Sequence, residues 1–145
     1  MLVGRGSRSN KKNMLIIIDT NAWIAGVRQK VDIFRELNRL FGEYELLVSS
    51  FICEELIKVA KKTKKGKDKQ AAKIALDLIK IRKLKITETN SNQDIDSNII
   101  DLIKNLRRQN KEIVLVTNDK DLQARAKYIG AKIIAWKRGK ILDTI

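Results

Sequence analysis

Four acids stand where chemistry could be done: Asp19, Glu55, Asp96 and Asp119. Asp19 directly follows the apolar run Met14–Ile18, and Asp119 comes three residues after Val116. Glu55 lies in the segment after Leu46-Leu47-Val48, and Asp96 follows Leu84-Lys85-Ile86-Thr87. If those runs are strands, a carboxylate follows the end of each. Two carboxylates about 4 Å apart repel by roughly 4 kcal/mol at an effective dielectric near 20. Three or four gathered in one place would need protons or cations between them. Hard divalent ions, Mg²⁺ or Mn²⁺, take oxygen ligands and suit such a set. The chemistry that uses carboxylate-held divalent ions without any histidine is phosphoryl transfer.

Composition narrows the field in the same direction. The chain has 145 residues, no His and a single cysteine, Cys53. That excludes Ser-His-Asp and Cys-His machinery, His-ligated or all-cysteine zinc, and any internal disulfide. A formal net charge of +14 calls for a polyanionic partner, nucleic acid first and an anionic membrane surface second. No apolar run is long enough to span a bilayer and no signal-like segment opens the chain, so the expected compartment is the cytoplasm. The length suits one domain over 14–145, with the basic, aperiodic residues 1–13 expected as a flexible tail.

The elements that must position the acids can be read from hydrophobic periodicity. Met14–Ile18, Leu46–Val48, Ile113–Val116 and Ile133–Trp136 are short continuous apolar runs, the pattern of strands covered on both faces. Leu84–Thr87 is a weaker fifth. Helical spacing runs through Val31, Phe34, Leu37 and Phe41, then Ile52, Leu56 and Val59. It returns at Ala71, Ala75 and Leu78, at Ile99, Ile103 and Leu106, and at Leu122, Ala126 and Ile129, where Gly130 is placed to stop the helix. Strands alternating with helices predict a three-layer α/β/α sandwich around a mainly parallel five-stranded sheet.

In such folds ligands bind beyond the carboxyl ends of the strands. Helical wheels then separate the acids from their neighbours: Glu55 borders its apolar stripe where Glu54 opposes it, Asp96 leans inward where Asp101 points away, and Asp119 lies nearer its stripe than Asp121. A competing reading stays open for each. An aspartate just after a strand is the ordinary helix N-cap, which would account for Asp19, Asp96 and Asp119 singly. Glu55 alone would be a solvated helix residue.

These residues resemble the PIN-domain ribonucleases. Ile17-Ile18-Asp19-Thr20-Asn21 is similar to that family's opening strand and D-T-N turn. Ser49-Ser50-Phe51-Ile52-Cys53-Glu54-Glu55-Leu56 is similar to its second motif, in which the acid precedes Leu and is therefore Glu55. Ile95-Asp96-Ser97-Asn98-Ile99-Ile100 resembles the third motif, with Ser97 in place of a second acid. Val116-Thr117-Asn118-Asp119-Lys120-Asp121-Leu122 resembles the fourth. Within the family the chain looks closest to the archaeal and eukaryotic subgroup associated with pre-rRNA processing. The phrase E-E-L-x-K-V-A, the Lys-rich insert and the phrase T-N-D-K-D-L carry that likeness.

The resemblance implies a Mg²⁺- or Mn²⁺-dependent endoribonuclease that cleaves single-stranded RNA by metal-activated water and leaves 5′-phosphate ends. Its expected substrate is precursor small-subunit rRNA within an assembling subunit. Asp19, Glu55, Asp96 and Asp119 would hold one or two ions, while Thr20, Asn21, Thr117 and Asn118 would orient ligands or touch the phosphate, with Asp121 assisting. The alternatives are a toxin-type PIN ribonuclease and a catalytically idle RNA-binding module. Protein partners stay open, a homodimer among them.

The basic excess is concentrated. Lys58–Lys73 holds eight lysines in sixteen positions, and a second group surrounds the last apolar run. Lys58, Lys61, Lys62, Lys64, Lys65, Lys67, Lys69, Lys137 and Arg138 are the expected RNA-backbone contacts, giving salt-sensitive affinity without sequence information. Trp23, Tyr44 and Trp136 could stack on bases, but packing is the better expectation for them.

Overall fold

The computed structural model describes residues 13–62, 64, 66–91, 93–138 and 140–145. The expected tail, apart from Asn13, and Lys65 lie outside the described residues.

The chain runs β1 (Met14–Ile18), α1 (Thr20–Arg28), α2 (Ile33–Phe41), β2 (Glu45–Leu46), β3 (Val48–Ser49) and α3 (Ser50–Ala60). It continues α4 (Lys67–Ile81), β4 (Ile86–Thr87), α5 (Ile95–Arg108), β5 (Glu112–Val116), α6 (Lys120–Tyr128), β6 (Lys132–Lys137) and β7 (Ile141–Thr144). The main sheet has five strands in the order β2-β1-β5-β6-β7, parallel except for β7. All five residues of β1 are buried, as its unbroken apolar run predicts. Strand β1 pairs in parallel with β5 from Met14↔Glu112 to Ile18↔Val116, so the two strands end together.

Sheet order dictates the layers. The step β1→β2 moves one way across the sheet and β5→β6 the other. Right-handed crossovers therefore put α1 and α2 on one face and α6 on the opposite face. Helix α1 packs on β6 with α4 laid against it, while α5 and α6 meet on β5 and β6. Among the described residues, no helix is long and apolar enough to cross a membrane.

Three elements depart from the sequence reading. The expected strand Leu46–Val48 is divided: Leu47 donates to the Ile16 carbonyl at 2.9 Å, and Val48 then leaves to pair with Ile86 in a separate two-stranded sheet. The Leu84–Thr87 run thus contributes β4 to that small sheet, and the fifth main strand is β7 instead. Helix α1 shows no amphipathic stripe, because Ala22, Trp23 and Ile24 are buried in succession. A helix covered on most sides loses the three-to-four spacing on which recognition depends.

Two side chains of α2 close onto β7. Glu36 Oε1 accepts from the Leu142 N–H at 3.0 Å, and Arg39 Nη2 donates to the Leu142 carbonyl at 2.7 Å. The pair also bridge each other at 3.0 Å, and Arg39 holds the Glu36 carboxyl below its usual range.

Two glycines are required by their surroundings. Gly130 sits at φ +95, a left-handed conformation suited to ending α6, as expected. Gly26 of α1 lies under Trp136, and a Cβ there would stand 2.9 Å from its Cζ2. The Trp136 indole is 5% exposed and donates Nε1–H to the Ala22 carbonyl at 3.0 Å. Gly26→Ala is therefore expected to destabilise the protein by about 1–3 kcal/mol through overpacking, read as a lower urea midpoint with unchanged m-value.

Candidate active site

The chain leaves β1 toward β2 and leaves the adjacent β5 toward β6, in opposite directions across the sheet. That is a topological switch point, where a crevice opens beyond the carboxyl ends of β1 and β5. The first residues past those ends are Asp19 and Thr117.

Asp19 occupies the N-cap position of α1, yet its side chain makes no capping hydrogen bond to the helix. Its main chain does the local work: Asp19 N donates to the Val116 carbonyl at 3.0 Å, and its carbonyl accepts from Ala22 and Trp23. The carboxylate is left for another use. It is 5% exposed, and Oδ2 accepts from the Thr117 hydroxyl at 2.9 Å. That hydroxyl in turn accepts from the Asp119 N–H at 3.1 Å. A fully buried threonine thus links two of the acids expected from the sequence.

The electrostatics bring in a third. Burial pushes the Asp19 carboxyl up to about 6, and the charges of Asp96 and Asp119 push the same way, against the hydrogen bonds from Thr117 and Thr20. The carboxyl of Asp96 is also raised, by burial first and then by Asp119, Asp94 and Asp121, with Arg125 opposing. Helix α5 is capped by Asp94, which accepts from the Ser97 N–H at 3.2 Å, so Asp96 is free of that duty. Asp119 does cap α6, its Oδ1 accepting from the Leu122 N–H at 3.0 Å. The capping reading therefore holds for Asp119 alone among the three.

Glu55 stands apart. It is half-buried on α3, faces Lys58 at 4.0 Å, and is not among the charges that act most on Asp19 or Asp96. It lines a groove of about 240 Å³ with Phe51, Asp94 and Asn98.

The flanking residues have separate assignments. The Thr20 hydroxyl is buried with no hydrogen-bond partner among the described residues. Asn21 and Asp121 are exposed. Asn118, expected to touch a phosphate, is committed elsewhere: Nδ2 donates to the Trp136 carbonyl and Oδ1 accepts from the Trp136 N–H, each at 2.9 Å. Strand β5 last pairs at Val116↔Ile134, so the Asn118 carboxamide supplies the next rung of the ladder. Gln123, which the motifs do not single out, donates to the Thr117 carbonyl at 2.8 Å and holds the same turn. Its only sequence signal is a polar residue one turn into a helix that starts at a site acid.

Among the basic positions, Lys58, Lys61, Lys62, Lys64, Lys67 and Arg138 are exposed, and Lys69 is half-buried. Lys137 Nζ donates to the Thr144 carbonyl at 2.8 Å, which ties β6 to β7. Trp23 and Trp136 are buried and Tyr44 donates to the Phe34 carbonyl, so the aromatics pack and do not stack on a ligand.

A buried carboxylate, Asp19, whose proton affinity is raised by burial and by the charges of Asp96 and Asp119, fits a divalent cation, which would remove that repulsion. Among the described residues no three acidic or cysteine side chains stand together closely enough to hold a metal ion as they are placed. Mg²⁺ does not require such a group, since it keeps several waters and binds through one or two carboxylates plus substrate phosphates.

The raised Asp19 carboxyl has a signed consequence. The folded state binds this proton more tightly than the unfolded chain, whose ordinary value is 3.8. The stability it contributes is full below that value and is lost as pH rises through about 6. In chelator, wild type is expected to lose up to about 3 kcal/mol relative to Asp19→Asn between pH 4 and pH 7.5. Paired melts across that range check the sign; a difference that grows toward low pH would refute it.

A family model described as PIN like domain matches residues 16–140. The chain is 30% identical over 112 residues to ribonuclease VapC4 of Methanocaldococcus jannaschii, covering 76% of this chain and 80% of that protein. It is 30% identical over 131 residues to ribonuclease VapC9 of Archaeoglobus fulgidus, covering 90% and 89%. The solved structure of the PIN domain endonuclease Utp24 superposes with a TM-score of 0.70 at 25% identity, over 90% of each chain.

Proposed function

Because the chain belongs to the PIN-domain family, we propose that it is a divalent-metal-dependent endoribonuclease acting on single-stranded RNA. One observation carries the reading: a buried carboxylate at the switch point, Asp19, declines the cap it is placed to make and faces two further acids. Asp19, Asp96 and Asp119 would hold the cation, with Glu55 reaching it through water or on substrate binding. When bound, Mg²⁺ or Mn²⁺ supplies an activated water and stabilises charge on the phosphate.

The chain's own residues do the positioning. Thr117 fixes the direction of the Asp19 carboxylate and orients the Asp119 main chain through one hydroxyl. Asn118 and Gln123 anchor the turn that carries both. Exposed Lys58, Lys61, Lys62 and Lys64 supply backbone affinity, which falls with salt.

The substrate we propose is precursor small-subunit rRNA, supported by the motif likeness to the pre-rRNA-processing subgroup and by the superposition on Utp24. A cytoplasmic location goes with that substrate. The two ribonuclease relatives favour a second reading, a toxin-type nuclease that needs a neutralising partner. Expression without a partner distinguishes them, since only the toxin-type protein should arrest growth. The nuclease reading itself is tested by incubating purified protein with single-stranded and precursor rRNA, with Mg²⁺, with Mn²⁺ and with chelator. Cleavage is expected only with metal; cleavage that persists in chelator overturns the mechanism.

A further inference from the structure

A cavity of about 910 Å³ lies away from the acid cluster, between the carboxyl end of α1 and the amino-terminal half of α4. Its walls carry Arg28, Lys30, Lys67, Lys69 and Lys73, and its floor includes Val27, Ala71 and Ile74. Arg28 is engaged by Asp68 at 2.9 Å. Lys30, Lys67, Lys69 and Lys73 have no ion-pair partner among the described residues. Helix α4 starts on Gly66, a cap residue with no side chain to bond its first N–H groups. Ile74 is 47% exposed in this setting. Four unpaired ammonium groups around an open cleft repel one another and call for a ligand with several negative charges.

Helix α1 gives the cleft a measured relation to the acids. It begins at Thr20, beside Asp19, and ends at Arg28, one wall of the cleft. Eight steps at 1.5 Å make about 12 Å. A stacked strand rises about 3.4 Å per nucleotide, so that gap holds about four stacked nucleotides and fewer extended ones.

We propose that the α1–α4 cleft is a second RNA site, which grips the phosphate backbone of the substrate strand up to about four nucleotides from the bond that is cut. The proposal rests on the nuclease reading and adds to it two residues, Lys30 and Lys73, and a length requirement. Exposed Ile74 offers an apolar surface for a base face, while the lysines take flanking phosphates. Substrates that reach only the acids forgo these contacts and bind weakly.

The test uses the full chain, the Lys30→Glu/Lys73→Glu double variant, and single-stranded RNAs of about 2 and about 20 nucleotides. Wild type is expected to show a KM for the long RNA at least about tenfold below that for the short one. The double variant should lose most of that advantage, keep its kcat, and cleave the short RNA as wild type does. Binding of the long RNA, measured without metal on the Asp19→Asn background, should lose about one to two units of salt slope in the double variant, at about 0.7 per phosphate contact. Equal KM values for the two lengths in wild type, or an unchanged salt slope in the double variant, overturn the proposal. If no RNA is cut but the slope still falls, the nuclease reading fails and the binding cleft stands. Binding of an acidic protein at the cleft with RNA affinity unaltered also overturns it.

Discussion

Asp19→Asn is expected to lower RNA cleavage on the order of 10³-fold while raising the melting temperature of the metal-free protein at neutral pH. The two effects have one cause. The carboxylate is 5% exposed and faces Asp96 and Asp119, so its charge is costly until a cation arrives. Asparagine keeps the shape and can still accept from the Thr117 hydroxyl, but carries no charge to hold metal. A chain of roughly this size gains about 2–4 °C per kcal/mol, so several degrees should be visible in chelator. Asp119→Asn is the control. Asn also caps helices well, so α6 should hold, cleavage should fall, and no comparable gain in stability should follow. If Asp19 were a structural residue, its amide variant would melt lower and cut normally.

Asn118→Ala is expected to destabilise the protein by about 2–4 kcal/mol and to reduce cleavage with it. Both carboxamide atoms bond to the main chain of Trp136, which is itself buried. Alanine leaves the Trp136 N–H and C=O without their partner, at about 1–3 kcal/mol apiece and toward the lower end because the bonds are only part-buried. The loss should exceed that of a typical exposed Asn→Ala change, which lies within about 0.5 kcal/mol. Denaturant unfolding measures it. Asn118→Asp separates the parts, since it keeps the acceptor for Trp136 N–H and loses the donor. A wild-type stability in Asn118→Ala would show that the rung is decorative and that the turn is held by Gln123 alone.

These expectations differ in how far the sequence reveals them. The central strands β1, β5 and β6 are legible because burial on both faces leaves continuous apolar runs. Their order then places Asp19 and Asp119 near one crevice. Strand β7 is not legible, because Leu142 is its only buried residue and Ile141 and Asp143 give no alternation. Helix α1 is hidden for the opposite reason, since too many of its positions are buried to leave a stripe. At the site, residue type and spacing find the acids but cannot separate a cap from a ligand. Asp19 and Asp119 both begin helices, and only hydrogen bonding shows that one caps and the other does not. Asn118 is visible in its motif, whereas its bonds to Trp136 depend on the sheet register eighteen residues away.

The Glu36–Arg39 clasp on Leu142 bears on how copies of this protein can meet. An unclaimed outer strand invites a neighbouring chain to add itself to the sheet, the route by which edge strands seed aggregates. Here the middle of β7 is already answered, donor and acceptor both, by two side chains from α2. At the other margin β2 is two residues long, too short a template for a stable addition. A homodimer or assembly contact should therefore be made through helix faces and loops, leaving the sheet to end within each molecule.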